Sequence, residues 1–211
     1  MFKPINKIIR TLIISDFFLN SAWGLLSPIF AIFVVQNITN DNAVEAAKIV
    51  GFATLYYWVV KSILQVPIGR YLDKNHGEKD DFWFMTIGTF LTALSLFGFM
   101  ISYSSWHIYL SQVIHALGMA MLVPPWYAIF SRHVDKDKEA FEWGTDSTVL
   151  GFGAGIMSAV GGVLVGILGF RVIFFLAGII NLISALLLFV IRKEISPKEN
   201  IPHPVPPSKI F

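Results

Sequence analysis

Cysteine is absent from this chain. That excludes disulfides, thiolate nucleophiles and cysteine-ligated metals. Charge is scarce as well: Asp, Glu, Lys and Arg make up 14% of the 211 residues, against about 25% in ordinary soluble domains. The net charge of +2 is too small to attract nucleic acid, so no such partner is expected. The histidines, His76, His107, His115, His133 and His203, fall at no ligand spacing, so no metal site is expected. No Walker-type loop is present. The glycines of 144–169 follow no strand and lack the acid a dinucleotide fold requires. Neither a cofactor nor enzyme chemistry is expected.

What the chain has in excess is apolar surface. It is 55% hydrophobic, with 19 phenylalanines and a mean hydropathy of +0.65. A soluble fold cannot hide that much, whereas a bilayer solvates it. Six apolar runs can be drawn, at 9–36, 45–71, 82–103, 106–131, 141–168 and 170–192. Each reaches the roughly 20 residues a spanning helix needs. Strands of a barrel would alternate in polarity and be shorter, so an all-α integral membrane domain is expected over 1–193. The first run lacks a small-residue cleavage site and is expected to be retained. Residues 194–211 hold five prolines and read as an extended tail.

Loop charge gives an orientation. Of the sixteen Lys and Arg, thirteen fall on the side of both termini. Lys48 and Arg171 fall on the other side, and Lys61 lies within a span. By the positive-inside rule both termini are expected in the cytoplasm. The location expected is a cell membrane, most simply that of a prokaryote.

Between the second and third spans runs Gly69-Arg-Tyr-Leu-Asp73-Lys74-Asn-His-Gly77-Glu-Lys79. It is expected to be a tight turn holding two helices on one side of the membrane. Gly69 would let the second span approach a neighbour. Asp73 would sit where a helix amino terminus could attract it. Lys74 and Lys79 would anchor the turn in water.

The fifth span carries small residues at three- and four-residue spacing. Gly151, Gly155, Ser158, Gly161, Gly162 and Gly166 are expected to form a helix-packing interface, through which two copies could pair.

Ionisable groups inside spans are costly and therefore candidate functional residues. Asp16 lies six residues past Arg10, about 9 Å deep, with Asn20, Trp23 and Ser27 along its face. Lys61 lies nine residues before Arg70, about 13 Å deep, with Thr54, Trp58 and Gln65 along its face. These depths allow an Asp16–Lys61 ion pair. His115, with Gln112 one turn earlier, lies about 13 Å below Trp106. Asp146 lies near the terminal end of the fifth span. Asp16, Asn20, Lys61, Gln112 and His115 form the candidate substrate or proton site.

Several stretches together resemble the amino-terminal half of a major facilitator superfamily transporter. Gly69, Asp73, Lys74, Gly77 and Lys79 are similar to that family's turn between its second and third helices. Phe18, Gly24 and Pro28 resemble its first helix. Gly169-Phe-Arg171 with Phe174 resembles the opening of its sixth. Gly144, Gly153, Gly161 and Gly162 fall at the offsets of its antiporter motif, with Met157 and Ser158 where that motif has Gly-Pro. The resemblance implies a secondary transporter for a small solute. It implies a cavity lined by spans 1, 2, 4 and 5, with spans 3 and 6 facing outward. It implies a second six-helix half, supplied most simply by a homodimer. The expected partners are the solute, membrane lipid and that second half. The alternatives are a non-transporting scaffold or regulatory subunit, or a fragment of a longer transporter.

Overall fold

The computed structural model describes residues 5–74 and 78–195. Among them every regular element is helical: α1 (Lys7–Leu26), α2 (Phe30–Asn37), α3 (Ala43–Lys74), α4 (Glu78–Met100), α5 (Ser105–His133), α6 (Glu139–Leu168) and α7 (Phe170–Leu187). A single 3-10 turn, Leu188–Ile191, extends α7. Six stretches are long and apolar enough to cross a membrane.

Local chemistry sets the ends. The Asn6 side chain caps α1 by accepting from the Ile9 N–H at 2.9 Å. The expected first span is interrupted at 27–29, separating α1 from α2. Pro28 has no N–H and cannot continue the ladder, a break the apolar count did not register. Asn40 and Asp41 take left-handed φ of 48° and 66° between α2 and α3, a conformation short polar side chains tolerate. Gly169, at φ 77°, separates α6 from α7.

The central turn differs from its expectation. Gly69, Asp73 and Lys74 belong to the last turns of α3, and Lys79 to the first turn of α4. Only 75–77 separate the helices, and Gly77 lies outside the described residues. Nor does Gly69 permit a close approach. A Cβ there would meet only Pro124 Cβ, at 3.8 Å, an ordinary contact.

The helices pack as an open arc in the order α3, α5, α4, α7, α1, α6. Where the arc is tight, glycine makes it so. Gly88 and Gly118 bring α4 and α5 backbone to backbone, and a Cβ at either would fall inside the other's carbonyl oxygen. Two apolar cores fill the arc. One, near the termini, centres on Leu12, Phe82, Ile129 and Phe130. The other, at the far end, centres on Leu25, Phe33, Phe99 and Phe174. Hydrogen bonds stitch the helices between them. Ser184 Oγ donates to the Ser15 carbonyl at 2.7 Å, and Thr92 Oγ1 to Asn181 Oδ1 at 3.3 Å.

The helices at the two ends of the arc, α3 and α6, each have one packed flank. Only 11% of their apolar windows is buried, against 44–61% for the other four spans. Gly153 and Gly161 seat α6 on α1, where an added Cβ would strike Phe17 and Ser21, or Leu25. Gly161 therefore does not share the face of Gly151, Gly155, Gly162 and Gly166, which meet nothing within 4 Å. The 153–161 spacing, not the three- and four-residue stripe, marks the contact within the chain. Ser158 is half-buried between the two faces.

Candidate functional site

Two cavities open on the concave side of the arc. The near cavity, closer to the termini, has a volume of about 490 Å³. Asp16 and Asn20 reach it from α1, Lys61 from α3, Trp126 from α5, and Trp143 and Asp146 from α6. The far cavity, of about 300 Å³, is lined by Trp23, Phe30, Thr54, Tyr57, Gln112 and His115, among others. Spans 1, 2, 4 and 5 thus supply nearly all the lining. Phe99 of α4 is the exception, closing the far cavity.

The near cavity is the charged one. Asp16 and Asp146 line the same cavity, one from each of the packed helices α1 and α6. Asp146 is 5% exposed, and its Oδ1 has no hydrogen-bond partner among the described residues. The buried Trp126 Nε1–H is likewise unpartnered. Asn20 Nδ2 donates to the Asp16 carbonyl at 2.9 Å, leaving the Asp16 carboxylate without that amide.

Lys61 does not pair with Asp16. Their helices are not packing neighbours, because α1 lies against α6 and α7 while α3 lies against α5. The Lys61 ammonium instead sits over aromatic faces, 5.0 Å from the Trp58 ring centre and 5.5 Å from Tyr57. No carboxylate forms an ion pair with it among the described residues.

The far cavity is aromatic. His115 lies between Trp23 and Tyr57, stacked on the indole and tilted to the phenol. Its Nδ1–H donates to Gln112 Oε1 at 3.3 Å, which orients the ring. Because Asn20 and Trp23 are three residues apart on α1, one helical turn separates the two cavities there.

At the terminal end a buried ion cluster joins α4 to α5. Arg132 Nη1 reaches Asp81 Oδ2 at 2.5 Å and Glu78 Oε1 at 3.3 Å, and His133 Nε2 meets Glu78 Oε2 at 3.0 Å. Glu78 and Asp81 are fully buried. The apolar run drawn from 82 begins four residues late, since α4 starts at Glu78 and carries both acids in its first turn. Asn6 Nδ2 donates to the His133 carbonyl, tying the start of α1 to the same corner. In the following loop, a 2.9 Å hydrogen bond from Lys138 holds the Asp135 carboxyl below its ordinary value.

Sequence reasoning missed the Glu78–Asp81 pair and, apart from Trp23, the cavity aromatics. The acids had a signal, since Glu78 and Asp81 stand three apart on one helical face. So did Trp143 and Asp146, at the same spacing. Asp73 and Lys74 are exposed at the end of α3, and Lys79 is exposed on α4.

The fold and the site define a multi-pass helical membrane protein with an ionisable cavity between its helices. The Major Facilitator Superfamily model matches residues 12–211, and the chain belongs to that family. It is 27% identical over 126 residues to the proton-coupled antiporter flippase LtaA of Staphylococcus saprophyticus, covering 56% of this chain and 31% of that relative. Its fold superposes on the POT family transporter PepTSo with a TM-score of 0.75 at 16% identity, covering 98% of this chain and 41% of that one. The chain thus spans less than half the length of either protein.

Proposed function

We propose that this chain acts as one half of a secondary transporter that moves a small solute. The second six-helix half is most simply another copy of the chain. The observation that carries this reading is the charged near cavity, which lies between the open flanks of α3 and α6. Ionisable side chains inside a membrane are retained where they serve a solute or ion pathway. A second half applied to the exposed faces would complete the cavity wall. Asp16 is the residue for proton coupling, being a half-buried carboxylate of α1 that lines the cavity with a second acid. The bacterial source of the flippase relative supports placement in a prokaryotic cell membrane.

The test is flux in proteoliposomes under an imposed pH gradient, across a panel of small solutes. Gradient-driven flux that Asp16→Asn abolishes is the expected result. Flux unchanged by Asp16→Asn removes Asp16 from the coupling step, and a chain that supports no flux at all favours the scaffold.

A further inference from the structure

The charges of the near cavity are arranged in an unusual way. Acids and base line the same space yet do not neutralise each other. Asp16 and Asp146 form one wall, because α1 and α6 pack together. Lys61 comes from the facing wall, on α3. The two acids share one wall, and Asp146 keeps an open acceptor while almost wholly buried. Burying charged groups without partners is expensive. A positive group at the acid wall would satisfy the buried Asp146, and a negative group would give the half-buried Lys61, which has only the Trp58 and Tyr57 rings, an anion.

A pure cation satisfies the acids but adds repulsion to Lys61. A pure anion does the reverse. A molecule with opposite charges at its two ends satisfies both walls, and its ammonium supplies the partner that the open Asp146 acceptor lacks. The cavity volume of about 490 Å³ lies within the usual range for small-solute sites. Trp126 Nε1–H adds an open donor.

We propose that the near cavity binds a zwitterionic solute, with its ammonium group between Asp16 and Asp146 and its acid group on Lys61. This names the substrate class for the transport function proposed above and rests on that reading.

The test is equilibrium dialysis of the purified full chain in detergent with radiolabelled probes. γ-Aminobutyrate and ε-aminocaproate carry both charges at two separations. Butylamine and butyrate each carry one. Charge-assisted hydrogen bonds predict that the better zwitterion binds about tenfold or more tighter than either single-charge probe. Lys61→Met should erase the advantage over butylamine, and Lys61→Arg should restore it. Asp146→Asn should weaken the zwitterion and butylamine together. The inference is overturned if butylamine or butyrate binds as tightly as the zwitterions, if Lys61→Met leaves zwitterion affinity unchanged, or if no probe binds. Flux of some other solute in proteoliposomes, with no zwitterion binding, sinks this inference while transport stands. Zwitterion binding without flux of any solute sinks transport instead.

Discussion

The imidazole of His115 lies flat on the indole of Trp23, with ring centres 3.8 Å apart and planes 14° apart. Tyr57 reaches the same imidazole from α3, at 4.8 Å. Two helices that do not pack against each other thereby meet on one ring of α5. The stack lines the far cavity, one helical turn from the near one along α1. His115→Phe keeps a flat ring there and should melt within a few degrees of the wild type. His115→Ala should open a passage. With Ser27→Cys in the cysteine-free background, a membrane-impermeant thiol reagent added from the terminal side should then react faster.

Removing Arg132 should be among the most damaging single changes. Arg132→Met leaves Glu78 and Asp81 buried without their shared cation, and losing one partner of a buried pair costs about 3–5 kcal/mol. Neutralising both acids, as Glu78→Gln with Asp81→Asn, should recover most of the lost thermal stability in detergent. Additive losses in the triple variant would show that the cluster does not act as a unit.

Adjacent glycines on α6 should behave oppositely. Gly161→Val drives a side chain into the Leu25 backbone, and overpacking of this kind costs about 1–3 kcal/mol. Gly162→Val meets open space and should leave the melting temperature of the isolated chain nearly unchanged. If the open stripe is where two copies meet, Gly162→Val should instead lower the dimer fraction measured by mass photometry in detergent.

The proposed pairing also places Asp73 of one copy near Thr145 of the other. Both positions are accessible and lie towards the terminal ends of α3 and α6. Cysteines introduced at the two sites should crosslink between chains in native membranes. Crosslinks confined to one chain, at normal expression, would exclude this dimer geometry.

Near the termini, Lys7 and Glu194 are hydrogen-bonded at 2.5 Å. The Lys7 hydrogen bond holds the Glu194 carboxyl below its ordinary value of 4.5. A depressed carboxyl contributes stability above its unfolded value and loses it as pH falls through the folded one. The wild type should therefore melt slightly higher than Glu194→Gln at neutral pH. That difference should shrink steadily below pH 4.5. A gap that grows on acidification would give the contact the wrong sign.

The spans were legible because hydrocarbon imposes one rule on every residue, and runs such as 82–103 and 106–131 obey it. The site was legible only in part. Depth along a helix follows from residue count, so Asp16 and Lys61 could be placed in the membrane from sequence. Which helix faces which does not follow, and so the expected Asp16–Lys61 pair is not there. Asp16 instead shares a wall with Asp146, because glycines 153 and 161 bring α6, not α3, against α1. The same limit applies to the glycine stripe. Spacing shows that residues share a face, and only packing shows whether another helix covers that face.

The arc leaves α3 and α6 as cantilevers, each clamped along one flank and free along the other. Because α3 packs on α5 and α2, and α6 on α1 and α7, the gap across the mouth changes with small tilts of either beam. Such a tilt bends no contact between the two, since α3 and α6 do not pack on each other. It does carry Lys61 and Asp146, one on each beam, towards or away from one another. The span between the two charged walls is therefore not fixed by helix packing across it, and whatever bridges them sets its length.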